Sequence, residues 1–151
     1  MIVVSRGRST AAPEQVWAVL SDVDAWPRWV PTVTSVARAS GPDGTPTNPA
    51  TAPGVGSVFE VVQSRLGRAR WVVTEWEVGR SFTWVSWRPG VRSTATHRLR
   101  AEQGGTGIEL GISWSGQGAR VVRALVGRLT QRYTELELGA LVATAEGRSD
   151  G

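Results

Sequence analysis

The chain has 151 residues, 40% hydrophobic and 20% charged, with a formal net charge of +4. All 17 basic residues are arginine, His97 is the sole histidine, and there is no cysteine. This composition excludes a lysine Schiff base, a Walker A phosphate loop, disulfides, thiolate catalysis and any intrachain site needing two histidines.

The length fits one domain, expected over residues 1–146, with a loose tail at 147–151. No apolar run approaches the roughly 20 residues of a membrane helix, so no membrane span is expected. "MIVVSRGRSTAAPEQ" has no secretory pattern, and a cytoplasmic location is the expectation. No cofactor and no metal site are expected. The arginines are scattered from Arg6 to Arg148 and read as solvated surface charge. Oligomeric state has no sequence signal.

The first predicted element is a short strand, "IVVSR", 2–6. Pro13 then suits the first turn of a helix, and Val16, Val19, Leu20 and Val23 give it a buried face. "DVDAWPRW", 22–29, reads as a second, very short helix that Asp22 or Asp24 can cap. Pro31 ends it. A strand follows over 33–39. The stretch 40–57, with four prolines and four glycines, reads as an irregular connection, either a lid or a disordered excursion.

Five strands succeed one another, near 57–65, 69–78, 81–88, 92–101 and 107–115, with glycine at each break. Ile108, Leu110, Ile112 and Trp114 share one face, as do Ser93, Ala95, His97 and Leu99. The second set alternates with Thr94, Thr96, Arg98 and Arg100, which turns His97 inward. "RWVVTEWEV" carries tryptophan on both faces, so its inner side is open. A long helix over 118–145 ends the chain, with Val122, Leu125, Val126, Leu129, Tyr133, Leu136 and Ala140 as its apolar stripe.

"APEQVWAVLSDVDAWPRWVPTV" and "THRLRAEQGGTGIEL" resemble the START-like (SRPBCC) superfamily, in its polyketide cyclase/dehydrase-like branch. The resemblance covers nearly the whole chain. It implies an α+β helix-grip fold: a curved antiparallel sheet of six to seven strands wrapped around a long C-terminal helix, with two short helices after strand 1. It also implies a cavity between sheet and helix. Trp17, Trp26 and Trp29 would then seal the short helices against the sheet. Each buried tryptophan removes roughly 150–250 Å² from water, at most about 4–6 kcal/mol, which helps a hollow fold hold together.

The expected ligand residues are Trp29, Trp84, His97, Trp114, Leu129 and Tyr133. Each also reads as ordinary core, and the Tyr133 hydroxyl reads as lying near the surface. An unperturbed histidine titrates near neutrality, so His97 is the one candidate general acid/base; its alternative is an inward histidine satisfied by a neighbour or by water. The leading functional reading is a carrier of a small hydrophobic ligand, aromatic, polyketide- or lipid-like, without cofactor. One alternative is a cofactor-independent aromatase/cyclase that works by positioning the substrate, with His97 as acid/base. Another is a quinone or lipid chaperone. Interleaved Arg and Trp in "RLGRARWVV" and "RSFTWVSWR" fit arginine outside and aromatic inside, so no nucleic acid partner is expected.

Overall fold

A computed structural model describes residues 2–147. Seven strands form one antiparallel sheet: β1 (Ile2–Ser9), β2 (Val33–Ser40), β3 (Val58–Gln63), β4 (Gly67–Glu77), β5 (Ser81–Arg88), β6 (Val91–Glu102) and β7 (Gly105–Ser115). Their spatial order is β1-β7-β6-β5-β4-β3-β2. Strands 3 to 7 are joined by short turns, as their alternating sequences require. The chain makes one long excursion, from the β1 edge to the β2 edge. Helix α1 (Pro13–Ser21), a 3-10 turn (Val23–Ala25) and helix α2 (Trp26–Trp29) carry it across. The long helix α3 (Ala119–Ala145) completes the fold. Of the expected 147–151 tail, all but Gly147 lies outside the described residues.

Local chemistry explains the short helices. Ala12 has no side-chain cap for α1, and the Gln15 amide oxygen instead accepts from the Ala12 N–H at 3.1 Å. Asp22 and Asp24 do not cap the next turn. No side-chain cap bond forms there, and Asp24 pairs with Arg38 at 2.8 Å. Burial of Val16, Trp17, Leu20, Val23 and Trp26 pins the crossing segment to the sheet. The Trp26 indole N–H donates to the Leu20 carbonyl at 3.0 Å, so its one polar atom is satisfied.

The β4 strand resolves the two-faced tryptophan pattern. Val73 pairs with Trp84 but Glu75 with Thr83, so Thr74 is an extra residue in a β-bulge. The bulge shifts the alternation by one, and Trp76 joins Trp71 and Val73 on the inner side. Trp76 meets Phe82 and Trp17, each at 5.2 Å between ring centroids.

The α3 stripe differs from the expected one. Leu125 is 78% exposed and Leu136 39% exposed, whereas Thr130 and Leu141 are buried. A stripe at 122, 129 and 136 repeats every seven residues, and a straight helix drifts about 20° from that repeat per heptad. Over 27 residues the drift carries Leu136 off the core face and brings Glu137 and Leu141 onto it.

The 40–57 segment is tied down. Arg38 donates to the carbonyls of Asn48 (3.1 Å) and Thr51 (2.8 Å), and the Asp43 N–H donates to the Val55 carbonyl at 2.9 Å. Two glycines matter for closure. A β-carbon on Gly105 would strike the Ser9 carbonyl, and one on Gly7 would crowd Leu138 at 3.1 Å, where β1 meets α3.

Candidate ligand cavity

The inner face of the sheet and α3 do not meet along their whole length. Toward the C-terminal end of α3, Leu138, Leu141, Val142 and Ala145 fill the space against the core. Toward its N-terminal half they leave a hollow of about 340 Å³. Trp71, Trp84, Leu110, Ile112 and Trp114 form its sheet wall, and Val122, Val126, Thr130, Tyr133 and Glu137 its helix wall. Trp26 reaches it from α2. Arg65, Leu66, Arg88, Val91 and Leu125 form the rim. Trp71 and Trp84 lie nearly parallel, 5.5 Å apart and 25° from coplanar.

His97 is 4% exposed and lies among Phe82, Trp26 and Trp84. Its ring stacks on Phe82 at 4.0 Å. With Nδ1–H donating to the Phe82 carbonyl (3.2 Å), Nε2 becomes the acceptor nitrogen. Burial outweighs that bond and lowers the His97 pKa to about 4, so the imidazole is neutral at pH 7.

Glu137 is the second titratable group in the hollow. It is half-buried, and desolvation raises its carboxyl to about 7. No hydrogen bond or ion pair joins it to the described residues. A polar strip therefore runs along α3, from Thr130 to Glu137, opposite the tryptophan wall. The Thr134 hydroxyl is spent on the Thr130 carbonyl at 2.7 Å.

Of the residues expected from sequence, Trp84, His97, Trp114 and Tyr133 come together around the hollow. Tyr133 lines it with its ring, while its hydroxyl donates to the Ser64 carbonyl at 2.7 Å and ties α3 to the β3–β4 turn. Trp29 and Leu129 are not among the lining residues. Trp29, at the last position of α2, packs edge-on to Trp26 at 6.0 Å, and its indole N–H is buried without a partner. Leu129 falls to the side as the helix phase drifts. No residue of the 40–57 segment lines the hollow, so it does not close over it. Sequence reasoning missed Glu137, Trp71 and the rim arginines. A 3.6-residue count from Val126 through Thr130 would have placed Glu137 inward.

A larger depression of about 1030 Å³ lies over the Gly79 turn on the other side of the sheet. It is open to solvent, and its charges pair among themselves: Arg6–Glu109 and Arg8–Glu102 at 3.0 Å, Arg80–Glu77 at 3.2 Å. Its lining is about half polar, whereas that of the smaller hollow is mostly apolar, so the smaller hollow is the candidate site. Among the described residues no group of three or more His, Cys, Asp or Glu is placed to hold a metal.

Residues 1–146 match the family profile described as polyketide cyclase / dehydrase and lipid transport. No curated protein sequence matches the chain. Solved structures match at low identity. The Zhui aromatase/cyclase from Streptomyces sp. R1128 has a TM-score of 0.74 at 17% identity, over 98% of this chain and 94% of that one. A START superfamily protein from Mycobacterium smegmatis has 0.70 at 13%, over 98% and 99%. A protein from Thermus thermophilus has 0.73 at 20%, over 99% and 100%. At these identities the likeness establishes the fold alone.

Proposed function

Because the chain belongs to the polyketide cyclase/dehydrase and lipid transport family, we propose that it binds a small, flat, mostly apolar molecule, aromatic, polyketide- or lipid-like, in the hollow beneath α3. The observation that carries this reading is the tryptophan wall of Trp71, Trp84 and Trp114 facing a few polar groups across about 340 Å³. That volume suits a ligand of a few rings or a short acyl chain. The rings give contact area, while His97 and Glu137 give orientation. Native mass spectrometry of freshly purified protein, with tryptophan-fluorescence titration of an apolar probe, tests it. A co-purified organic molecule or saturable one-to-one quenching is expected. Non-saturable quenching and a bare mass would overturn it.

A second reading, an aromatase/cyclase-type enzyme, is favoured by one observation: two titratable groups of opposite character share the hollow. At pH 7 the His97 imidazole is a neutral acceptor, and the Glu137 carboxyl, raised to about 7, is available as a protonated donor. Such a pair can remove a proton from a bound poly-ketone and return one to a departing hydroxyl. Binding that survives His97→Ala and Glu137→Gln, with turnover lost, supports the enzyme. Binding with no turnover of any poly-ketone supports the carrier.

A further inference from the structure

The arginines divide by position. The ion pairs among the described residues use Arg6, Arg8, Arg38, Arg80 and Arg100. None involves the end where the hollow opens. The strand register puts three connections at that end: the β3–β4 hairpin, the Pro89-Gly90 turn and the β7–α3 link (Gln63 opposite Gly67, Arg88 opposite Val91, Arg92 opposite Ser115). The segments 64–70, 88–92 and 118–132 hold nine arginines, among them Arg65, Arg88, Arg120 and Arg123, and no aspartate or glutamate; Glu60 stands opposite Arg70 on the neighbouring strand. All nine are exposed.

The start of α3 concentrates this charge. Gly118 offers no side-chain cap and the first turn has no acidic residue. Arg120 and Arg123 therefore add to the positive end of the helix dipole instead of opposing it. Among these charges stand Val121, 62% exposed, and Leu125, one turn later and 78% exposed. Leu125 is also part of the rim.

We propose that this end of the molecule docks on an anionic phospholipid bilayer. Val121 and Leu125 enter the interfacial layer, the arginines sit on lipid phosphates, and the hollow opens onto the lipid. Charge complementarity supplies the attraction, and the exposed aliphatic pair gains only from an apolar layer. Trp87, 58% exposed and opposite Arg92, also stands at this end. An indole suits the bilayer interface as well as a nucleobase, but the aliphatic Val121 and Leu125 have no role on nucleic acid and favour the bilayer. No helix among the described residues is long and apolar enough to cross a membrane, so docking would be peripheral. The proposal goes beyond the ligand reading and does not need the ligand identified.

Co-sedimentation of the full chain with vesicles tests it, using phosphatidylcholine alone and phosphatidylcholine mixed with phosphatidylglycerol. Binding to the mixed vesicles only is expected, weakening as salt rises. Arg120→Gln with Arg123→Gln lowers partitioning about 25-fold, at about fivefold per arginine. Leu125→Gln lowers it at every salt concentration. Arg6→Gln, at the other end, leaves it unchanged. Apolar-probe titration of the Arg120/Arg123 variant reads the hollow separately and is expected to match the parent. No sedimentation with anionic vesicles at low salt would overturn the proposal. So would equal binding to phosphatidylcholine alone, equal loss in Arg6→Gln, or capture of an acidic protein or oligonucleotide with no binding to vesicles.

Discussion

The two ends of the sheet are built from the same strands and behave as different materials. At the closed end, Trp17, Trp76 and Phe82 interlock between α1 and the sheet, and the nearby surface arginines are paired with glutamates. At the open end, the half of α3 nearest the rim leaves Leu125 in solvent, and the arginines have no acidic neighbours in their segments. Packing density and charge neutrality go together at one end, and both are relaxed at the other. The rim of the hollow is therefore the loosely packed part, while its inner wall belongs to the same buried cluster as the closed end.

The largest effect expected from this contrast is on stability. Phe82 is fully buried and stacks on His97. Phe82→Ala is expected to cost about 3–5 kcal/mol in urea denaturation. A cost under about 1 kcal/mol would mean that the closed end is not the anchor.

Next comes an opposed pair of pH dependences. The His97 pKa is lower in the fold than its ordinary 6.5, so the unfolded chain binds the extra proton between about 4 and 6.5. Its contribution to stability is complete above that window and lost as pH falls through it, by about 3 kcal/mol. Glu137 is raised from 4.5 to about 7, so the folded chain holds the extra proton there. Stability falls as pH rises through that window, by about 1–2 kcal/mol after allowing for water in the hollow. The Glu137 slope offsets about half of the His97 slope, so the parent keeps a net rise in stability with pH, by about 1–2 kcal/mol. Glu137→Gln is expected to leave stability rising between pH 4 and 6.5, and His97→Gln to leave it falling between 4.5 and 7. Denaturation midpoints across pH check both signs, and parallel profiles for the two variants would contradict the assignment.

The smallest effect belongs to the rim. Leu125→Ala is expected to change stability by no more than about 0.5 kcal/mol, because that side chain is already in solvent. The same substitution is expected to speed release of an apolar probe, read by stopped-flow fluorescence. A large destabilisation with no change in release would make Leu125 a packing residue.

Much of the site's sheet wall was legible in sequence. Alternation in "STATHRLR" and "IELGISW" turned His97 and Trp114 inward, and their placement around one hollow follows from that parity. Trp76 was not legible, because a single extra residue at Thr74 reverses parity and leaves no mark in composition. Glu137 was hidden for a related reason. A lone glutamate between two leucines reads as the solvent side of a helix, and only the phase of α3 against the sheet turns it inward.

The sequence by itself determined the order of elements, the inward face of most strands, and the absence of lysine, thiol and multi-histidine chemistry. Those follow from local periodicity and from which side chains exist at all. Tertiary structure decided where α3 touches the sheet and where it stands away. It thereby decided that Glu137 faces His97's hollow and that the unpaired arginines gather at its mouth. Such matters depend on a bulge and on accumulated helix drift, small local quantities whose consequences appear only when distant segments pack together.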